Sequence, residues 1–378
     1  MPVARRLSAV LLGILLVSAC GASTSTGGPP PASAGVAPTV SAPVPSATAT
    51  PVRSGDVAGP GLSAVALPAG IAPVSISAAR LLYGTNAGPA GILDLATGAQ
   101  TAFPDPPGGL RFAPVRLAGT IAAGDALNTA ADGTVTTQSA IAFDLATGRY
   151  LDIGAALGHP TISYVLGSDE ATVVGMASDG KAAAPTRAYL YDVATGRVTI
   201  MPGLPDGYAQ PQPLGVSGRY VVGNDGTGSP AGGFVYDIVT GRYTMLWRLL
   251  GSHAVEALGV DGSVVVGDVD MSPFVYDLGS GRSSVHPIPM PGFKGSAVDG
   301  ARVLLAPAAY SAYGWVFRTD TMTGIPLDAV RDPASPTGTS WVVPVAISGH
   351  WILGYVPATL ATSVRPARMV LVMIPPAL

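Results

Sequence analysis

From about residue 62 onward the chain alternates short apolar runs with small clusters of Gly, Ser, Asp and Thr. The runs are four to eight residues long, rich in Val, Ile and Leu, and show no sustained helical period. Continuous β-branched runs of this length, bounded by turn residues, predict buried strands. Four stretches align without gaps: "LGVSGRYVVGN" (214–224), "LGVDGSVVVGD" (258–268), "SAVDGARVLLA" (296–306) and "VAISGHWILGY" (345–355). Each reads as a strand, a Ser/Asp-Gly turn and a second strand. Looser copies lie at 75–85, 116–125 and 165–176.

A second pattern follows each copy. "GILDLATGAQ", "IAFDLATGRY", "YLYDVATGRV", "FVYDIVTGRY" and "FVYDLGSGRS" carry Asp94, Asp144, Asp192, Asp237 and Asp277, each followed by a glycine four residues on. A weaker copy, "WVFRTDTMTGIP", ends near Gly324. The aspartate accepts hydrogen bonds from backbone N–H groups just ahead of it, and the glycine takes a positive φ. The phrase looks like a site, with aromatics, an acid and an arginine. A set repeated at every unit cannot be one asymmetric catalytic constellation, so it is assigned to hairpin turns and its aromatics to the core.

The repeat interval is roughly 40–50 residues, the spacing of propeller blades. Residues 212–249 serve as the type unit: strand a in "QPLGVS", b in "RYVVGN", c in "GGFVYDIV" and d in "RYTMLWRL". The chain is therefore expected to be all-β, a seven-bladed β-propeller of four-stranded antiparallel blades. The last unit supplies strands a, b and c, and residues 62–68 are expected to supply its strand d, so that an N-terminal strand closes the ring. Six blades, with one weak unit misassigned, is the alternative.

The preceding residues read differently. Arg5 and Arg6, the apolar run "LSAVLLGILLV" (7–17) and "VSAC" resemble a bacterial lipoprotein signal, and residues 1–19 are expected to be its signal peptide, cut between Ala19 and Cys20. Cys20 is the only cysteine, useless for an internal disulfide, and is expected to carry the lipid. Residues 20–60 hold the lipidated cysteine and a Pro/Ala/Ser/Thr tether too poor in apolar surface to fold. Such a tether reaches about 35 Å as a coil. Residues 61–378 form the head. The expected location is the outer face of the cytoplasmic membrane, in the cell envelope, with a monomeric head held by its N-terminal lipid.

Composition narrows the function. Net charge is −3 and charged residues make up 11% of the chain, so no basic footprint calls for nucleic acid. Glycines number 49 and prolines 36, in keeping with many turns. Glu170 and Glu256 are the only glutamates. No nucleophile elbow, Walker sequence or zinc-protease helix is present. A metal site drawing on His159, His253, Glu256 and His286 lacks close ligand spacing, His350 stands apart, and the Asp268–Asp270 pair lacks an oxygen-rich loop closed by a glutamate. No metal and no cofactor is expected.

The Ser/Asp-Gly turns at Ser217, Asp261, Asp299 and Ser348 ring one mouth and are assigned to turn chemistry. The b–c and d–a connections emerge at the other mouth and differ in length and content, which is where binding surfaces sit on repeat scaffolds. Tyr208, Tyr310, Tyr313 and Trp341 are the aromatic candidates there.

The pairing of a "VVG" strand with an "AF-x-YD-x-x-TG" strand resembles bacterial extracellular repeat proteins of the HAF type. The segment "YLYDVATGRVTIMPG" (189–203) is similar to the YVTN-type propeller repeat. The resemblance covers residues 62–378 and implies a propeller scaffold, with no functional residue to carry over; Arg187 stands where the HAF tripeptide has its histidine. The favoured reading is a binding or scaffold module for a protein, glycan or cell-wall component. The alternative is a propeller enzyme, a hydrolase or lyase with a site at the channel mouth.

Overall fold

The computed structural model describes residues 62–374 except 66, 69, 86–87, 131–133, 181–185, 209, 227–231, 253, 285–292, 308–312, 322, 333, 336–338 and 357–367. All of them belong to one compact unit. It is all-β, built from antiparallel meanders that run a, b, c, d in chain order.

β1 (Ser63–Val65) opens the described chain. The first meander is β2 (Ile71–Ser77), β3 (Arg80–Thr85), β4 (Gly91–Asp94) and β5 (Gln100–Ala102). An eight-stranded sheet follows, made of two meanders. These are β6 (Arg111–Ala118), β7 (Ile121–Thr129), β8 (Val135–Asp144) and β9 (Arg149–Asp152), then β10 (Ile162–Ser168), β11 (Thr172–Ser178), β12 (Arg187–Asp192) and β13 (Val198–Ile200). A single parallel bridge, Ile162↔Gln138, joins them.

Next come β14 (Pro211–Ser217), β15 (Tyr220–Asp225), β16 (Phe234–Asp237) and β17 (Arg242–Met245), then β18 (Val255–Asp261), β19 (Val264–Val269), β20 (Ser272–Asp277) and β21 (Arg282–Ser284). β22 (Phe293–Asp299), β23 (Arg302–Pro307), β24 (Trp315–Arg318) and β25 (Thr323–Pro326) form another four-stranded sheet. The last sheet holds a small hairpin, β26 (Val330–Arg331) and β27 (Thr339–Ser340), with β28 (Val343–Ser348), β29 (Trp351–Val356) and β30 (Arg368–Met373). β1 lies in this sheet, antiparallel to β30, with Ser63 opposite Met373 and Val65 opposite Leu371.

The core is a series of seams between successive meanders. Leu82, Phe103, Phe112 and Phe143 fill the first seam, and Val174, Leu190, Phe234 and Tyr236 a later one. Ile76, Leu81 and Tyr83 of the first meander pack with Ala346, Leu353 and Leu371 of the last sheet. Each fully buried aliphatic or aromatic side chain contributes about 1.5–3 kcal/mol, so the seams dominate stability.

The paired "VVG" and aromatic phrases have a direct cause. Gly175, Gly223 and Gly267 lie opposite Tyr189, Phe234 and Phe274 on the neighbouring strand. A Cβ on Gly223 would sit 2.1 Å from the Gln212 carbonyl oxygen and 2.8 Å from the Phe234 ring. The glycine makes room for the ring, and all three rings are buried.

Three expectations change in detail. The run "RYTMLWRL" ends as a strand at Met245. Residues Leu246–Leu250 instead form a helical turn, α2, closed by Gly251 at φ 70°; a first turn, α1, spans Ile153–Ala156. The stretch after Met245 has no β-branched residue, and Gly251 is an ordinary αL stop. The b–c connection of the second meander, expected to vary as a loop, is short, since β7 and β8 stay paired from Ile121↔Asp144 to Thr129↔Val135. Gly324 is no turn glycine; it lies in β25 opposite Phe317, with the Trp315 ring 3.2 Å from where its Cβ would be.

Candidate binding mouth

The a–b and c–d turns share one end of the unit, and the b–c and d–a connections share the other. At the turn end each aspartate of the Asp-x-x-Thr-Gly phrase folds onto its own turn. Asp94 Oδ1 accepts from the Ala96 and Thr97 N–H groups at 2.9 and 2.8 Å, and Asp192 from Thr195 N–H at 2.8 Å. Asp237 accepts from Val239 N–H and from Arg219 Nε at 3.0 and 2.7 Å. Gly148 and Gly241 sit at φ 67°, as the turn requires. These bonds hold the carboxyls below the usual range: the Thr97 N–H for Asp94, Thr195 for Asp192, the Arg219 guanidinium for Asp237 and the Ser263 hydroxyl for Asp277.

The Ser and Asp residues of the a–b turns do more than shape their own turns. Each accepts from the backbone of the turn in the next meander. Ser77 Oγ takes Gly119 N–H at 3.2 Å, Asp169 Oδ2 takes Gly218 at 2.6 Å and Ser217 Oγ takes Gly262 at 2.9 Å. Asp261 and Asp299 take Gly300 and Gly349, both at 2.7 Å. Ser348 Oγ takes Ala78 N–H at 2.8 Å, linking the last sheet to the first. Turn chemistry within one hairpin was the expectation; the structure shows a relay between hairpins.

The loop end is irregular. Three b strands carry polar residues at equivalent register positions, Asp125, Asn224 and Asp268, each just after the strand's glycine. Asp125 Oδ1 accepts from Val165 N–H at 2.9 Å and Oδ2 from Gln138 Nε2 at 2.7 Å. Asn224 Oδ1 does the same for Ala257 N–H at 2.8 Å. Val165 and Ala257 are equivalent residues beside the bulge of the next inner strand. Burial pushes the Asp125 carboxyl up to about 7, against the pull of those two donors.

Asp268 breaks the series. Its Oδ1 turns to its own hairpin, to Met271 N–H at 3.1 Å, and its Oδ2 has no hydrogen-bond partner among the described residues. Burial raises this carboxyl also, opposed by the charge of Lys294. Lys294 Nζ pairs with Glu256 at 2.6 Å, and Glu256 faces Asp268 across the β18–β19 ladder. The hairpin itself is strained. Asp270 and Met271 form a two-residue turn with φ 50° and 62°, a geometry that ordinarily takes Asn-Gly. Met271 is 63% exposed.

Of the aromatic candidates, Tyr208 is half-buried against the seam between the third and fourth meanders. Tyr313 is half-buried against a different seam, its ring 6.1 Å from that of Trp315. Trp341 is half-buried between β27 and β28. The structure does not gather Tyr208 and Tyr313 at one seam. Tyr310, His253, His286 and Cys20 lie outside the described residues. His159 is exposed at φ 56°, His350 is exposed, and Glu256 is committed to Lys294. Among the described residues no three of His, Cys, Asp and Glu converge as metal ligands, and no helix is long and apolar enough to cross a membrane. Sequence reasoning missed Asp125 and its environment. The available signal was an acid immediately after a "small-small-Gly" strand, where the other copies vary.

No protein-family model and no curated protein sequence matches the chain. Solved structures do. The β-propeller domain of the Trilobed protease from Pyrococcus furiosus is similar with a TM-score of 0.51 at 11% identity, over 79% of this chain and 92% of that one. A prolyl endopeptidase is similar with a TM-score of 0.54 at 13% identity, over 80% of this chain and 46% of that one. At such identities the likeness is one of fold: the unit is an all-β protein of propeller-like architecture.

Proposed function

We propose that residues 61–378 form a seven-bladed β-propeller closed by β1, and that it is a binding or scaffold module for a protein, glycan or cell-wall component. The contrast between its two ends carries this reading. Repeated polar side chains at the turn end are taken up by turns and inter-turn bonds. The loop end carries unmatched connections, half-exposed aromatics and a strained hairpin that displays Met271. Backbone strain kept in a surface hairpin points to a role there beyond stability. The module is displayed outside the cytoplasmic membrane by a lipid on Cys20 and a tether through residue 60. It acts as a monomer.

Affinity capture with the full chain tests the binding reading. Trp341→Ala and Met271→Gly at the loop end are expected to lose the captured partner, while Ser217→Ala at the turn end retains it. Equal capture by all three would overturn the assignment of the mouth. Lipid labelling that persists in Cys20→Ala would overturn the anchor.

A further inference from the structure

β4, β8, β12, β16 and β20 each end on the turn aspartate, whereas β24 ends on Arg318 in the same place. Register sets that arginine opposite Arg302, the first residue of β23. The first meander shows how the repeat ordinarily fills the pair. There Arg80, at the position of Arg302, faces Asp94, and the Thr97 bonds and the Arg80 charge together hold that carboxyl down. Like charges directly opposite each other destabilise an antiparallel pair. The sixth meander therefore keeps two cations where the first keeps a cation and an acid.

Two acids stand nearby, and both are engaged. Asp320, two residues further along the turn, takes Arg318 Nε on Oδ1 at 2.9 Å and a second guanidinium nitrogen on Oδ2. Asp299 Oδ2 takes the Gly349 N–H at 2.7 Å. Arg302 gives one N–H to the Gly349 carbonyl oxygen and has no ion pair among the described residues. A guanidinium carries five N–H donors in a fixed fork, so most of this fork stays open to a further acceptor. Arg302 and Arg318 are both half-buried, and with Asp299, Gly300 and Ala301 they line an open cleft of about 270 Å³. Small-molecule pockets begin at roughly 300 Å³, so the cleft has room for a charged group and part of the molecule that carries it.

We propose that this cleft binds an oxyanion, a phosphate or carboxylate group, held by the Arg302 guanidinium with Arg318 completing the positive wall. A guanidinium fork matches two oxygens of either group. The anion takes the place beside Arg302 that Asp94 holds beside Arg80. The site lies at the turn end, away from the loop mouth, and stands whether or not the binding reading above holds.

Titration of the full chain with inorganic phosphate and with acetate, in chloride at constant ionic strength, tests it through the Nε–H resonances of isotope-labelled arginine. At least one of the two anions is expected to shift the Arg302 resonance saturably. Preference for phosphate identifies a phosphoryl ligand, and preference for acetate a carboxylate. Arg302→Gln keeps a donor for the Gly349 carbonyl oxygen and is expected to weaken binding about tenfold or more, read at Arg318. Arg318→Asp restores the aspartate of the other meanders opposite Arg302 and is expected to abolish binding, which provides the reading if Arg302→Gln does not fold. Arg80→Gln, at the equivalent place in the first meander, is expected to leave binding unchanged. No saturable shift with either anion, binding unchanged in both cleft variants, or an equal loss in Arg80→Gln would overturn the proposal.

Discussion

The two ends of the same strands hold their carboxyl groups in opposite directions. At the turn end Asp94, Asp192, Asp237 and Asp277 are exposed enough to stay ionised and are pulled down by donors. At the loop end Asp125 and Asp268 are buried and pushed up. The turn end repeats because each aspartate answers a local backbone need that recurs in every hairpin. At the loop end the seam-facing residue is Asp125, Met176, Asn224 or Asp268 according to the meander. Periodicity marks structural duty here, and a break in it marks where another constraint acts. Asp332 sharpens the rule. Although 1% exposed, it has Ser340 Oγ at 2.6 Å, Ala334 N–H at 3.0 Å and Arg368 beside it. Together they outweigh the upward push of burial and hold it below the usual range.

The severest test of the contrast removes the strand that pairs with the last one, β30. Deleting residues 61–69 removes Leu62, Ala64 and Val65 from two core clusters and leaves β30 unpaired on one side. A loss of about 4 kcal/mol or more is expected in denaturant unfolding, and an unchanged midpoint would show that β1 is dispensable.

The next test concerns pH. The folded Asp125 carboxyl titrates about three units above its unfolded value, so the native state binds the extra proton between pH ~4 and ~7. Its contribution is complete below the unfolded value and is lost as pH rises through about 7, by up to roughly 4 kcal/mol. The turn-end acids work the other way, stabilising above pH ~4 and failing as pH falls. Asp125→Asn copies the neutral acceptor of Asn224 and is expected to remove the decline between pH 4 and 7. Melting curves against pH read this directly, and a slope identical to wild type would contradict the burial argument.

Single links of the turn relay are weaker. Asp299→Ala frees the Gly349 N–H at an exposed turn and is expected to cost about 0.5–1.5 kcal/mol. Ser348→Ala is expected to fall in the same range, which compares the last-to-first link with an interior one. The smallest effect has the opposite sign. Met271→Gly relieves one left-handed residue and is expected to stabilise by about 0.5–1 kcal/mol. A destabilising result would remove the strain argument for the mouth.

The hairpins and the paired glycine–aromatic phrases were legible in the sequence because each is local. Asp237 to Gly241 is one turn, and Gly223 faces Phe234 in adjacent strands. The all-β class and the four-stranded sheets followed from the same patterns. The bulges were not legible, since a one-residue slip in pairing leaves the apolar pattern of "PLGVS" unchanged. The turn-to-turn relay was hidden for a different reason. Its partners lie about one repeat apart, or at opposite ends of the head for Ser348 and Ala78, and a serine that caps its own turn is written like one that caps the next. Arg318 was visible as a letter in "WVFRTDTMTGIP", but its oddity emerged only when register set it opposite Arg302.

β1 has a consequence for time. Every meander from Ile71 to Pro326 draws its strands from neighbouring stretches of chain, whereas the ladder from Ser63 to Val65 must meet β30 from almost the whole length away. Pairings between distant segments form slowly, because chain entropy is lost before contacts reward it. Six sets of strands can thus assemble early, while the final sheet waits on a contact three residues long. Run backwards, so short a contact is where local opening is expected to begin, which hydrogen exchange of the Ser63–Val65 amides against those of the inner meanders would read.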